Sequence, residues 1–343
     1  NSISSAANRY ALYAAAGGVF YGLGFHSYIA YRGTPLLIFI VLVLYWLKNK
    51  DWERRKKILF SLSVFSLLTL IAFAPLGFYF LQNPQDFFGR TAQVSVFSSP
   101  SPLKDLSLNI LKLAGMFNFA GDYNWRHNIA GSPLLFWPVG ILFLIGIAAG
   151  IKNIFHFRFA ILFSWLAIAA LPVVISNEGI PHALRAILMV PPAFIFAGYG
   201  GIFIYEMMKE KFSAKGGSAF GGKNPVLLKS FKVIAALFLA IAAVQGYISY
   251  FIVWGENPNT QGAFAADYVQ VGRELNALPL ELPKYVIVKA GGTDVRGIPM
   301  PSQTVMFITD TFTPEKQKEK NIFYVLPGQA GGIPAGAYSV VLR

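Results

Sequence analysis

Long apolar stretches separated by short polar ones run along the chain as far as Trp254, and beyond it the runs become short and turn-bounded. Seven of the long stretches, 11–29, 35–47, 58–81, 134–151, 159–175, 186–205 and 233–253, are predicted to be bilayer-spanning helices. The ground is length: a hydrocarbon core of ~30 Å needs about 20 mainly apolar residues. In the first, Ala14, Gly18 and Gly22 recur every four positions, the spacing that lets another helix approach closely. Between the third and fourth lies a long polar segment, 82–132. It contains a Ser/Pro run and an amphipathic stretch, 106–119, whose period predicts a helix lying in the interface or against the bundle. After Trp254 a turn leads into a helix from about Gly262. Apolar runs at 285–290, 304–310, 322–327 and 338–343 then predict strands, with a charged helix, TPEKQKEKN, before the third. The expected fold is an α-helical polytopic membrane bundle over 1–255, followed by a small α/β domain over 256–343.

Composition agrees with the pattern. Hydrophobic residues make up 55% of the chain, charged ones 13%, and mean hydropathy is +0.51, well to the apolar side of a soluble domain. With no cysteine, disulfides, thiolate catalysis and Cys-based metal sites are excluded. Four histidines without HExxH-type spacing give no metal motif, so no metal site is expected. The net charge of +13 is topological. Loops 48–57, 152–158 and 208–232 carry six, two and six Lys/Arg, against one, four and one in 31–34, 82–132 and 176–185. The positive-inside rule places the first set in the cytoplasm, which puts the amino end inside and the carboxy-terminal domain outside a plasma or inner membrane. Anionic membrane lipid accounts for the basic loops, and no nucleic-acid partner is implied. No Asp, Glu, Lys or Arg lies between the ends of the spans, which argues against an ion-coupled transport path. A first residue Asn1, without an initiator Met or a signal peptide, reads as a fragment or processed product.

The chemistry concentrates in outer segments. GDYNWRHNIAGSP (121–133) sets Asp122, Asn124, Arg126, His127 and Asn128 within seven residues, with Tyr123 and Trp125 among them. That is more titratable and aromatic material than a turn requires. The alternative is a loop whose polar groups only satisfy each other. SNEGIPHALRA (176–186) places Glu178, His182 and Arg185 ahead of and at the start of a spanning helix, either as a phosphate seat at the helix amino end or as caps and snorkelling side chains. Arg90, in FFGR, is a further anion candidate. His26, Tyr28 and Arg32 crowd a membrane boundary in GLGFHSYIAYR, where the tyrosines also fit an aromatic belt.

GLGFHSYIAYR, a Pro-containing outer loop with FFGR, GDYNWRHNIAGSP before a spanning helix, and NEGIPHALRAI leading into Pro191-Pro192 occur in that order. This succession resembles the GT-C superfamily of membrane glycosyltransferases, in the branch related to protein O-mannosyltransferases and lipid A aminoarabinose transferases, over residues 9–255. The resemblance implies inverting transfer of a sugar from a polyprenyl-phosphate carrier to an extracytoplasmic protein, glycan or lipid acceptor, with no cofactor. It also implies a main catalytic carboxylate in a first outer loop upstream of Asn1. On this likeness Asp122 and His127 belong to the reaction centre, and Arg126, His182, Arg185 and Arg90 hold the donor phosphate. His26, Tyr28, Arg32, Tyr123, Asn124, Trp125, Asn128 and Glu178 then line the sugar, acceptor or prenyl chain. Two other functions fit the same pattern: a lipid-linked glycan transporter or flippase, and a non-catalytic anchor for the outer domain.

Overall fold

The computed structural model describes residues 2–87, 95–215, 225–292, 294–295 and 297–343, and the chain divides into two compact units, Asn1–Gln245 and Gly246–Arg343. The first is helical. Among the described residues five helical stretches are long and apolar enough to cross a membrane: Ile29–Lys48, Trp52–Gln82, Phe157–Val174, Ile187–Glu210 and Ser230–Trp254. The first and fourth of the seven expected spans correspond to helices α1 (Ser2–Gly24) and Trp137–Ile151, the latter a shorter apolar helix.

Helix α1 stops at Gly24 instead of running to residue 29. The amides of Phe25, His26 and Ser27 turn back onto the carbonyls of Gly22, Leu23 and Gly24. A 3-10 turn, Ile29–Gly33, then leads into α2 (Thr34–Lys48). Helix α3 (Trp52–Gln82) takes in most of the basic stretch expected to be a loop, because Asp51 caps it by accepting from the Glu53 amide at 3.0 Å and Glu53 suits the first turn. The four-residue spacing in α1 serves contact with α3: a Cβ on Gly18 would lie 2.4 Å from the Phe65 carbonyl oxygen.

The amphipathic stretch forms α4 (Pro102–Met116), which starts four residues earlier than expected because Pro102 suits the first helical position. Its buried face, Asn109, Leu113 and Met116, lies against α6 (Phe157–Val174). Helices α5 (Trp137–Ile151) and α7 (Val190–Lys215) approach to backbone contact, since a Cβ on Gly146 would fall 1.8 Å from the Phe196 carbonyl oxygen and one on Gly200 2.0 Å from that of Leu142. Met116, Phe117, Leu135, Phe143, Val173, Met189 and Phe196 form one core across these helices. Residues 134 and 135, expected to begin α5, instead extend α4's exit, their amides donating to the carbonyls of Met116 and Phe117. The last apolar helix, α8 (Pro225–Tyr247), continues as a π-helical stretch, Ile248–Trp254.

The second unit is α/β. Helices α9 (Pro258–Ala263) and α10 (Ala266–Ala277) precede β1 (Lys284–Val288), and a two-residue hairpin pairs β2 (Asp294–Val295) with β3 (Ile298–Pro299). The run 304–310, expected to be a strand, is helix α11 (Ser302–Thr309). Its buried residues, Val305, Met306 and Thr309, follow a helical rather than an alternating period, and a short apolar run leaves that choice to tertiary packing. Helix α12 (Pro314–Lys320), β4 (Ile322–Val325) and β5 (Tyr338–Leu342) complete a parallel three-stranded sheet in the order β4-β1-β5. Its core is Leu275, Val286, Val288, Val305, Ile322 and Leu342.

Candidate functional site

The loop after α4 is closed by its own backbone. The Gly121 amide donates to the Gly131 carbonyl at 3.2 Å and the Gly131 amide to that of Asp122 at 2.9 Å. Gly131 holds φ = +76°, a conformation that L side chains resist. Within the loop the Asn124 carbonyl accepts from the His127 and Asn128 amides, the Asn124 side chain accepts from the Arg126 amide, and the Asn128 side-chain amide donates to the Ser132 carbonyl. Asn124 and Asn128 therefore shape the loop. Asp122 does more than that.

Its carboxylate, with the residue only 2% exposed, accepts from the Asn124 amide through Oδ1 at 2.8 Å. Through Oδ2 it meets His127 Nδ1 at 2.8 Å and accepts from the Ala183 amide, 61 residues away, at 2.8 Å. A buried carboxylate needs this much pairing, because an uncompensated one would lose its charge or the fold. Asp122 thereby ties the GDYNWRHN loop to the segment between α6 and α7. His127 and His182 are drawn together in consequence, ring centroids 4.6 Å apart and planes 30° from parallel, with His182 Nδ1 3.9 Å from Asp122 Oδ2.

The partner segment is anchored from the other side. The buried side-chain amide of Asn109 on α4 donates to the carbonyls of Val174 and Ser176, and the Val96 amide donates to that of Ile175. The chain then turns through Gly179 and a cis Ile180–Pro181 bond. Arg185 folds back over the turn, donating to the Ser176 hydroxyl and, at 2.8 Å, to the Glu178 carbonyl, with Nη2 3.5 Å from the Glu178 carboxylate. Between the two segments opens a cleft of ≈ 350 Å³, lined by Asp122, Tyr123, Asn124, residues 178–182 and Arg185. Burial, with the Arg185 guanidinium and the His127 ring, pushes the His182 imidazole down to about 4, against the opposing pull of Asp122 and Glu178. His182 is thus neutral at physiological pH.

Residues 176–186, expected at the start of a spanning helix, do not lie at a helix amino end. Helix α7 begins at Val190 after a 3-10 turn, Ile187–Met189, and the nearby amides are spent locally, that of Ala183 on Asp122 and that of Arg185 on His182 Nδ1. Neither Asn177 nor Glu178 caps that helix, since both precede it by more than ten residues. Arg126 is exposed and, like Trp125, His127 and Asn128, is not among the residues lining the cleft. His26, Tyr28 and Arg32 do not line it either. His26 Nε2 donates to the Ala72 carbonyl, and Arg32 donates to the Phe87 carbonyl while stacking over the rings of Phe80 and Phe87. Arg90 lies outside the described residues.

No family model matches the chain, and it matches no curated protein and no solved structure.

Three positions at the site escaped the sequence reading. Asn109 is one, and the signal was present: a lone amide on the apolar stripe of an amphipathic helix. Ser176 and Pro181 carry no such mark, since their roles arise only once the two loops meet. The fold also gathers the donor atoms of Asp122, His127 and His182 within 4.8 Å of one another, where spacing along the chain gave no metal motif.

Proposed function

We propose that the chain belongs to a membrane-embedded transferase that takes a sugar from a polyprenyl-phosphate carrier and delivers it to an acceptor outside the cytoplasm. The observation that carries this reading is the convergence on Asp122 of the two polar motifs that resemble GT-C transferases. Departure of a sugar from phosphate calls for groups that meet developing charge, a group that receives the acceptor proton, and a polar wall for hydroxyls. Asp122 fixes the His127 ring, whose Nδ1–H donates to the carboxylate and leaves Nε2 as the acceptor. Arg185, held by Ser176 and Glu178, also lines the cleft, and Tyr123, 67% exposed, offers a flat face there.

In this reading seven helices cross the membrane, with the amino end inside. Several features support it. Helix α3 has no buried residue, and Leu67, Leu70 and Ile71 are all about 60% exposed, an apolar surface that lipid covers and water does not. The two segments assigned outside by charge, 82–132 and 176–185, are the ones that meet at the cleft. At the other end, Lys48 from one basic segment sits 4.6 Å above the ring of Phe157 from another.

The test is release of free polyprenyl phosphate by the full encoded polypeptide, given polyprenyl-phosphate sugars and a panel of acceptors. Loss of that release in Asp122→Asn and His127→Ala, with donor lipid still bound, supports the assignment. Unchanged release in both variants removes it.

A further inference from the structure

We propose that Asp122, His127 and His182 form a binding site for one divalent transition-metal ion of the zinc class. Among the described residues this is the one group of three such side chains whose donor atoms converge, all within 4.8 Å. Two of the separations are 2.8 Å, between Asp122 Oδ2 and His127 Nδ1, and 3.9 Å, between Asp122 Oδ2 and His182 Nδ1. A tetrahedral ion with bonds of about 2.0–2.2 Å sets its ligands about 3.3–3.5 Å apart. The two observed separations bracket that value, and the third closes with movement of about an ångström.

The donor set selects the metal. Two imidazoles and one carboxylate suit zinc and its first-row neighbours, whereas magnesium and calcium take all-oxygen shells and copper(I) favours thiolates and thioethers. Three protein ligands with a fourth position left over is the arrangement of catalytic rather than structural zinc. Asp122 and His182 line the cleft, so that position faces it. The amides of Asn124 and Ala183 hold the carboxylate, and they keep those bonds when the ion takes the lone pair now directed at His127, while on His182 the long 3.4 Å bond from the Arg185 amide to Nδ1 gives way to the ion. On binding, the ring proton of His127 moves from Nδ1 to Nε2, so the imidazole coordinates as a neutral ligand and, with the ion in place, Nε2 is a donor and no longer the acceptor it is in the metal-free site.

Charge gives the ion a purpose. Asp122 and Glu178 bring two negative charges to the cleft wall and Arg185 one positive, and Arg185 is already turned toward Glu178. A dication reverses that balance and offers an open coordination position to an anionic oxygen. That the oxygen belongs to a phosphate rests on the transferase reading; binding of the ion does not.

The experiment titrates zinc chloride into metal-stripped, tag-free protein in detergent micelles, followed by calorimetry. Background is low, because the chain has no cysteine and His26 Nε2 is committed to Ala72. We expect one zinc per chain with a Kd of about 1 µM or tighter. His127→Gln and His182→Gln should each weaken it by about tenfold to a hundredfold or more, and His156→Gln should leave it unchanged. Cobalt(II) provides a second reading, as tetrahedral d–d absorption in the wild type that His182→Gln abolishes. A chelator-reversible rise in the wild-type Tm on adding zinc covers the case of a variant that does not fold. Absence of stoichiometric binding, or wild-type affinity in folded His127→Gln and His182→Gln, overturns the proposal. The titration contains no lipid-linked sugar, so the two readings fail separately. Zinc bound without polyprenyl phosphate release removes the transferase alone, whereas release that persists in protein shown to bind no zinc removes the metal site alone.

Discussion

Replacing Asp122 by alanine should loosen two segments that are far apart in sequence. The carboxylate accepts from the amides of Asn124 and Ala183 and from His127, each at 2.8 Å, and is almost fully buried. A hydrogen bond to a charged group contributes about 1.5–3 kcal/mol, so loss of the Ala183 contact alone should raise local opening of that turn about 10- to 150-fold. Asparagine should be milder there. Its single oxygen can serve Ala183 and His127, at the cost of setting an NH2 against the Asn124 amide. Hydrogen–deuterium exchange read by mass spectrometry on peptides covering 122–132 and 176–186 measures both effects. In Asp122→Ala both peptides should exchange faster together; in Asp122→Asn the first should change more than the second. Faster exchange confined to 122–132, with 176–186 at the wild-type rate, would refute the reasoning, because the carboxylate would then not be the tie between the loops.

Gly146→Ala and Gly200→Ala should each destabilise by about 1–3 kcal/mol or more, seen as a lower Tm in micelles, since their Cβ atoms meet a facing backbone oxygen. Gly201→Ala, with open space at its Cβ, should be neutral or stabilising by up to ~1 kcal/mol, and equal effects at all three positions would contradict the α5–α7 approach. In metal-free protein the His182 ring should stay neutral until pH falls to about 4. Because its folded value lies below the ordinary 6.5, its stabilising contribution is complete above pH 6.5 and is lost as pH falls from there toward 4. Histidine-selective NMR should find the His182 ring neutral at pH 5, and its titration near 6.5 would contradict this. Cysteines introduced at Ser99 and Ser132 should react with an impermeant thiol reagent from outside intact cells and one at Asn153 should not, while the reverse pattern would invert the topology.

Helix against loop was readable in most of the membrane-length stretches, because hydrophobic length is a strong signal and caps only adjust the ends. Where the ends moved, a local cause appears. Asp51 starts α3 six residues early, and the turn after Gly24 stops α1. The run 304–310 could not be read, since seven apolar-rich residues fit either period until Val305, Met306 and Thr309 find the sheet. At the site, the sequence marked the two motifs but not their relation. Local composition shows that Asp122 and His182 are unusual; that they share one carboxylate oxygen's surroundings depends on a 61-residue closure. The same limit explains Arg126 and Arg185. Both look like phosphate ligands as residue types, yet the fold sends one to the surface and folds the other onto Ser176 and Glu178.

The most direct test of the account is the fate of the sugar–phosphate bond. The full encoded polypeptide, purified and given polyprenyl-phosphate sugars with protein, glycan and lipid acceptors, should release polyprenyl phosphate. Asp122→Asn and His127→Ala should lower kcat by about tenfold to a thousandfold, ~1.4–4 kcal/mol of barrier, while donor lipid still binds. Leaflet exchange of labelled lipid in vesicles should stay at background. Absence of polyprenyl phosphate across the panel together with accelerated leaflet exchange would contradict the transferase reading and make the cleft a head-group site for transport.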